Sequence, residues 1–386
     1  MTAEVAAYLQ DALDYIRCHA LRSRSVDWDE IRSEALARIQ DAQTTADTYP
    51  TLRWVHSCLG DQHSFLASPH GVKNSLEGTI TSSGLLAVYP EGVIVAIDPH
   101  SPAVLTGLQV RDTIETINGE LVKHLDRVAF QHTIRSSPLT LSFRRANATG
   151  VSSVTLHTAS YIRERRPQGW PLGSDIGYLE LPGVSGNDAI LRTYAQVAQQ
   201  RIRDMDQTGI RQWIIDVRRN TGGNMWPMLA GVHPLLGDGA CGFFVSSEGN
   251  KQSWITTKAA QTKKLLGEPY HLTHPVGATA VLTSRLTCSS GEFTALAFRG
   301  RPQTRSFGEP TAGLPTANRG KTLCDGAQLF LTVAYGADRT GRIYECPIMP
   351  DQPVASDWTL FQTEHDPVLL SAIAWIKEIS LGKEVS

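Results

Sequence analysis

The 386-residue sequence predicts an α+β chain built from three successive segments. Residues 1–75 repeat apolar side chains at helical spacing. Residues 76–160 switch to short strands broken by Gly, Asn and Pro turns. Residues 161–386 alternate apolar strands with segments of helix length, the pattern of an α/β unit. A chain of this length is expected to build several cores rather than one.

In the first segment, Val5, Leu9, Leu13 and Ile16 fall on one helical face. Ser25 to Gln40 predicts a second helix, with Ser25 or Asp27 as its N-cap and Ile31, Ala35 and Ile39 on one side. Tyr49-Pro50-Thr51 opens a third, ending near Gly60. In the middle segment Val93–Ile97 reads as a strand, Ser101-Pro102-Ala103 as the start of a short helix, and Asp112–Ile117 as a strand. Asn118-Gly119 is a hairpin turn, Val122–Ile134 reads as helix and Leu139–Arg144 as strand. In the last segment the predicted strands are Ile176–Leu181, Trp213–Arg218, Ala278–Leu282, Arg305–Gly308 and Gln328–Val333, with a long helix from Ala189 to Met205. The Trp213 strand is apolar almost without alternation, as expected of a strand covered on both faces.

Composition narrows the function. A hydrophobic share of 41%, a charged share of 19% and a formal charge of −2 describe a globular chain without the basic excess that binds nucleic acid or membrane surfaces. Arg163-Glu164-Arg165-Arg166 is short and interrupted, and reads as a solvated linker. Cys18, Cys58, Cys241, Cys288, Cys324 and Cys346 form no C-x-x-C pair, so neither a metal site nor a disulfide framework is expected. Reduced thiols, no apolar leader at Met1–Val5 and no apolar run near ~20 residues point to a cytoplasmic protein without a membrane partner. No cofactor is expected.

Two stretches carry chemistry. Thr287-Cys288-Ser289-Ser290-Gly291-Glu292 lies between the apolar run Ala278–Leu282 and the helix-like Phe293–Phe298. Such a turn sets a hydroxyl at a helix N-terminus, where free N–H groups can hold an oxyanion. By itself Ser289 is also a good N-cap. Arg218-Arg219-Asn220-Thr221-Gly222-Gly223-Asn224 follows a buried strand, at the end where open α/β sheets place ligands. No Gly-Lys-Ser/Thr follows the glycines, so this is not a phosphate loop.

Ile97, Ser101-Pro102-Ala103, Gly107-Leu108, Asp112 and Ile117-Asn118-Gly119 resemble a PDZ domain of the permuted bacterial kind. The resemblance makes Ser83, Gly84, Leu85 and Leu86 the loop that receives a peptide C-terminus, with the peptide added as a strand. A PDZ-like unit that only packs on its neighbour, or gates the site, is the alternative.

Ile214–Asn224, Val281–Glu292 and Phe307–Gly313, in this order, resemble the tail-specific (C-terminal-processing) serine peptidases, with the tricorn core and the interphotoreceptor retinoid-binding protein modules. The resemblance implies an N-terminal helical domain, a PDZ-like domain and a crotonase-like (ClpP-like) peptidase core of spiral type. It makes Ser289, three residues before Glu292, the nucleophile, and gives the oxyanion hole to the N–H of Ser290 and of Gly222 or Gly223. Cys288 lies at the wrong offset. Leu314 stands where the tail-specific branch carries its lysine, which leaves Lys321 as a displaced base. The tricorn-like branch instead implies His63 as base and Glu345 as orienting acid, with Gln62 where that branch has a linking serine. Glu292 reads as a first-turn carboxylate. The implied function is a serine peptidase acting on peptides or proteins through an acyl-enzyme, with homo-oligomerisation left open. A catalytically inactive binding module with the same core is the alternative.

Overall fold

The computed structural model describes residues 2–146, 148–255, 264–268 and 270–382. Three helices come first: α1 (Ala3–His19), α2 (Trp28–Arg38) and α3 (Tyr49–Cys58). Asp27, not Ser25, caps α2 by accepting the N–H groups of Asp29 and Glu30. After α3 the first segment adds β1 (Phe65–Ala67), a strand where residues 1–75 were expected to be helical, and then α4 (Pro69–Glu77). The apolar faces of α1 to α3 do not close on themselves. Leu9, Leu13, Ile16, Leu52 and Val55 share one core with Leu323, Leu329 and Leu331 from the far end of the chain.

A two-stranded ribbon, β2 (Thr79–Ser82) with β9 (Ala159–Ile162), leads into and out of a separate antiparallel sheet. That sheet runs β3-β4-β5-β7-β8, from β3 (Leu85–Val88), β4 (Val93–Ile97), β5 (Thr113–Ile117), β7 (Leu139–Arg144) and β8 (Val151–Leu156). The short β6 (Glu120–Leu121) closes the Asn118-Gly119 hairpin, with both turn residues at positive φ. The predicted helix of residues 122–134 divides into a single turn at Val122–His124 and α5 (Arg127–Thr133), whose Phe130 fills the sheet's core.

The largest core surrounds a six-stranded sheet in the order β10-β11-β12-β15-β16-β20. It comprises β10 (Gln168–Leu172), β11 (Ile176–Glu180), β12 (Gln212–Asp216), β15 (Thr279–Thr283), β16 (Thr304–Gly308) and β20 (Gln352–Pro353); only β10 runs antiparallel to its neighbour. One face meets α6 (Asp188–Asp206), α7 (Met225–Leu236) and α8 (Ser290–Phe298), through Trp213, Ile215 and Val281. The other meets α9 (Pro367–Ser380), through Tyr178, Ile214, Ala280 and Leu282. Successive residues of β12 thus bury against opposite layers, which is why the strand lacks polar alternation. A second sheet runs β1-β18-β13-β14, from β13 (Ala240–Ser246), β14 (Lys251–Ile255) and the long β18 (Gln328–Ala337). β17 (Thr316–Thr322) and β19 (Ile343–Tyr344) also pair with β18. Two features position the site. β12 and β15 are parallel neighbours, so the loops after Asp216 and Thr283 leave the same sheet edge side by side. The register of β17 on β18, in turn, brings residues near 316, 318 and 332 beside the loop after α3.

Candidate active site

The loop from β15 to α8 holds Ser289 at φ 53°, ψ −116°, a backbone conformation that L-residues adopt only under constraint. Glu292, one helical turn on and fully buried, supplies it. Its carboxylate accepts the Ser289 N–H at 2.8 Å, the Thr311 hydroxyl at 2.6 Å, and the N–H groups of Gly313 at 3.0 Å and Leu314 at 2.9 Å. Burial pushes the Glu292 pKa up, and these four bonds pull against it. Glu292 is thus a buried clamp that joins the Ser289 turn to the turn before β17.

The glycine loop closes on the same serine. Gly222 has φ 99°, and a methyl group there would stand 3.0 Å from the Ser289 Cβ and 3.5 Å from its Oγ. Asn220, with no exposed surface, sets both loops: its Nδ2 donates to Leu181 O, and its backbone O accepts the Cys288 N–H at 2.9 Å. Its Oδ1 accepts the Gly222 N–H at 3.0 Å, so that donor is in use. Among the described residues the Gly223 N–H enters no such bond, while the Gly223 O accepts the Ser290 hydroxyl at 2.6 Å. Ser290 is the first residue of α8, where the N–H has no partner within the helix. Of the oxyanion donors expected from sequence, Ser290 and Gly223 are the two left uncommitted.

His63 sits in the loop between α3 and β1. Asp61 accepts the N–H groups of His63 at 2.8 Å and Ser64 at 2.6 Å, and also the Ser64 and Thr332 hydroxyls. Asn318 donates to His63 O at 2.7 Å. The imidazole Nδ1 shares a 2.8 Å hydrogen bond with the Thr316 hydroxyl, and Nε2 makes no hydrogen bond among the described residues. Thr316 lies two residues beyond Leu314, whose N–H is on Glu292, so one short turn connects the His63 partner to the Ser289 clamp. Burial lowers the His63 pKa against the opposing pull of Asp61 and of the Thr316 backbone, leaving a neutral ring at neutral pH.

Other candidates lie elsewhere. Glu345 is exposed just after β19, and Thr316 rather than Glu345 holds Nδ1. The Glu345 segment does run along the 311–314 turn, since Ile348 N–H donates to the Thr311 hydroxyl, but the carboxylate faces water. Lys321 is drawn to the helices, pairing with Asp11 at 3.1 Å and lying over the Tyr15 ring. The Cys288 thiol is pushed up to about 12 by burial and by Glu292, which keeps it protonated. In the β3 sheet, Gly84 donates its N–H to the Ser82 hydroxyl, Ser83 is buried, and Leu85 and Leu86 pair with β4. Among the described residues no His, Cys, Asp and Glu cluster could hold a metal. Sequence reasoning missed Thr316, Asn318, Thr332 and Asp61; Asp61 alone had a local signal, standing two residues before the histidine.

A cleft of about 710 Å³ is lined by α4, the β2–β9 ribbon, the N-terminal part of α6 and the loop residues Thr221 and Gly222.

Residues 175–354 match the family model described as peptidase family S41. The nisin-resistance protein of Lactococcus lactis subsp. lactis is 33% identical over 211 residues, covering 52% of this chain and 59% of that one. Carboxyl-terminal-processing peptidase 2, chloroplastic, of Arabidopsis thaliana is 24% identical over 353 residues, covering 85% of this chain and 64% of that one. The chain thus spans about three fifths of the length of these curated relatives. Among solved structures, a lipoprotein from Streptococcus agalactiae aligns with a TM-score of 0.66 at 21% identity, over 97% of this chain and 96% of that one. The photosystem II D1 C-terminal processing protease aligns with a TM-score of 0.59 at 20% identity, over 92% and 94%. These two likenesses are likenesses of fold.

Proposed function

We infer that this chain, whose residues 175–354 match the model of peptidase family S41, is a serine peptidase with Ser289 as nucleophile and His63 as general base. The observation that carries the reading is the convergence on one serine of a constrained backbone, an abutting glycine loop and two uncommitted N–H groups. His63 donates Nδ1–H to the Thr316 hydroxyl, which leaves Nε2 bare to take the Ser289 proton. The hydroxyl oxygen adds to the scissile carbonyl, and the oxyanion is received by the N–H groups of Ser290 and Gly223. Collapse expels the amine, protonated from His63 Nε2. Water activated by the same nitrogen then hydrolyses the ester. The polar Thr316 hydroxyl fills the orienting role without adding a second charge to the ring.

The β3–β8 unit is proposed to act as a PDZ-like wall of the substrate path. β3 is the edge strand of its sheet, open to an added strand on one side. A fluorophosphonate probe tests the nucleophile. Wild type should be labelled and should cleave peptides, and Ser289→Ala should do neither while keeping its fold. Labelling that persists in Ser289→Ala would sink the reading. A folded wild type that binds peptides and is never labelled would favour the inactive binding module. Replacing Ala87 on the edge strand with Pro, which cannot donate to a ladder, should raise KM for long peptides and spare short ones; equal effects on both would remove the wall role.

A further inference from the structure

The run Arg163–Arg166, which the sequence suggests is a solvated linker, is partly buried in the structure. Arg165 is only 13% exposed and Arg163 34%. Both donate through Nε to one carboxylate, Asp98, at 2.7 Å and 2.8 Å. Asp98 is 2% exposed and also accepts the Tyr161 hydroxyl at 2.9 Å. The cluster therefore sets two guanidinium charges against one carboxylate. Glu164 does not correct the balance, because it faces Arg166 at 3.7 Å. A guanidinium has five N–H donors. Only the Nε–H of Arg163 and of Arg165 is hydrogen-bonded among the described residues, so the Nη groups of both are left without an acceptor. Both arginines line the same cleft as Thr221 and Gly222.

We propose that Arg163 and Arg165 form a carboxylate-binding subsite in this cleft, selecting peptides that carry a carboxylate at the C-terminus or on an Asp or Glu side chain. The planar fork of a guanidinium matches a carboxylate bidentately, and the low exposure of Arg165 shields the pair from screening. Asp98 holds both guanidinium groups by their Nε–H, one on each carboxylate oxygen. The site stands on its own geometry; only the identity of the ligand as a peptide rests on the peptidase reading.

The test uses mixed-sequence N-acetylated decapeptides free of Asp and Glu, or containing one Glu, each made as free acid and as C-terminal amide. Wild type is assayed for cleavage of the four pools by mass spectrometry, and the Ser289→Ala protein for retention of the same pools on ultrafiltration. Pools with a carboxylate should be cleaved and retained about tenfold better than the uncharged pool, the scale of one charge-assisted hydrogen bond. The free-acid arm assigns the carboxylate to the terminus and the Glu arm to a side chain. Arg165→Gln should bring the ratio to about one. Arg163→Gln, at the more exposed position, should lower it in a protein that still melts cooperatively, so that misfolding of the first variant cannot hide the answer. Equal handling of all four pools, or a ratio unchanged in both variants, overturns the proposal. Selective retention without cleavage keeps the subsite and removes the peptidase reading; cleavage without selectivity does the reverse.

Discussion

Thr316 is the residue on which the proposed chemistry turns, because it is the hydrogen-bond partner of the His63 ring. A histidine base needs one nitrogen protonated and held so that the other is bare and aimed. A hydroxyl acceptor does this without the charge that a carboxylate would bring to the imidazolium. Thr316→Val keeps the shape and removes the acceptor. It should lower kcat on the order of 10- to 100-fold with KM little changed, and Thr316→Ser should restore most of the rate. The pH profile separates this from a structural fault. Burial already lowers the His63 pKa, and the base works only unprotonated, so the rising limb of kcat/KM in wild type should lie below the ordinary ~6.5. The Thr316 contact that raises the ring's pKa runs through the Thr316 backbone, which Val keeps, so the limb should stay in place while the plateau falls. A limb that moves together with the plateau would assign the loss to a changed setting of the ring rather than to the missing hydroxyl. Glu345→Gln, on an exposed carboxylate, tests the acid expected from sequence and should leave both unchanged.

At the scale of elements, the site depends on how the turns that flank α8 and β17 are joined. Four donors converge on the buried Glu292 carboxylate, three of them backbone N–H groups. Glu292→Gln would offer one acceptor oxygen and an amide that faces donors. With at least one N–H left buried and unpaired, the cost should be about 3 kcal/mol. Urea unfolding should report that loss, and the probe should label Ser289 at least tenfold more slowly because its constrained backbone is released. Wild-type labelling in a destabilised Glu292→Gln protein would separate the clamp from the reactivity of the serine.

Across the whole molecule, the β3–β8 sheet meets the core at one patch, where Val88, Val93 and Val95 pack on Trp358 and Phe361. Two polar ties border it: Arg219 bonds both Glu180 and Val95 O, and Arg285 bridges Glu91 and Glu309. The apolar patch carries most of the docking energy, since ion pairs at partly exposed positions contribute little. Trp358→Ala should cost about 3–5 kcal/mol. Hydrogen exchange should then speed up in β3–β5 while β12 and β15 keep their protection. Uniform loss across the chain would show instead that the two units unfold as one.

Local pattern was enough to locate the helices of the first segment, the apolar strands of the central sheet and the two loops that meet at Ser289. Each is written in a short window: helical or unbroken apolar spacing, then a Gly-rich or small-residue turn. The same windows gave no sign of α4, α7, β13, β14 or α9. The surroundings of the histidine were equally hidden. Asp61, Asn318 and Thr332 brace His63, and Thr316 takes its Nδ1, across more than 250 residues of chain from 61 or 63 to 316 or 332. Arg163 and Arg165 looked like surface charge until Asp98, buried at the end of β4, drew them in. Sequence alone determined which residues could react, because reactivity follows from residue type and local backbone. Tertiary structure decided which partners serve them, because strand register and shared burial bring together groups that no local pattern links.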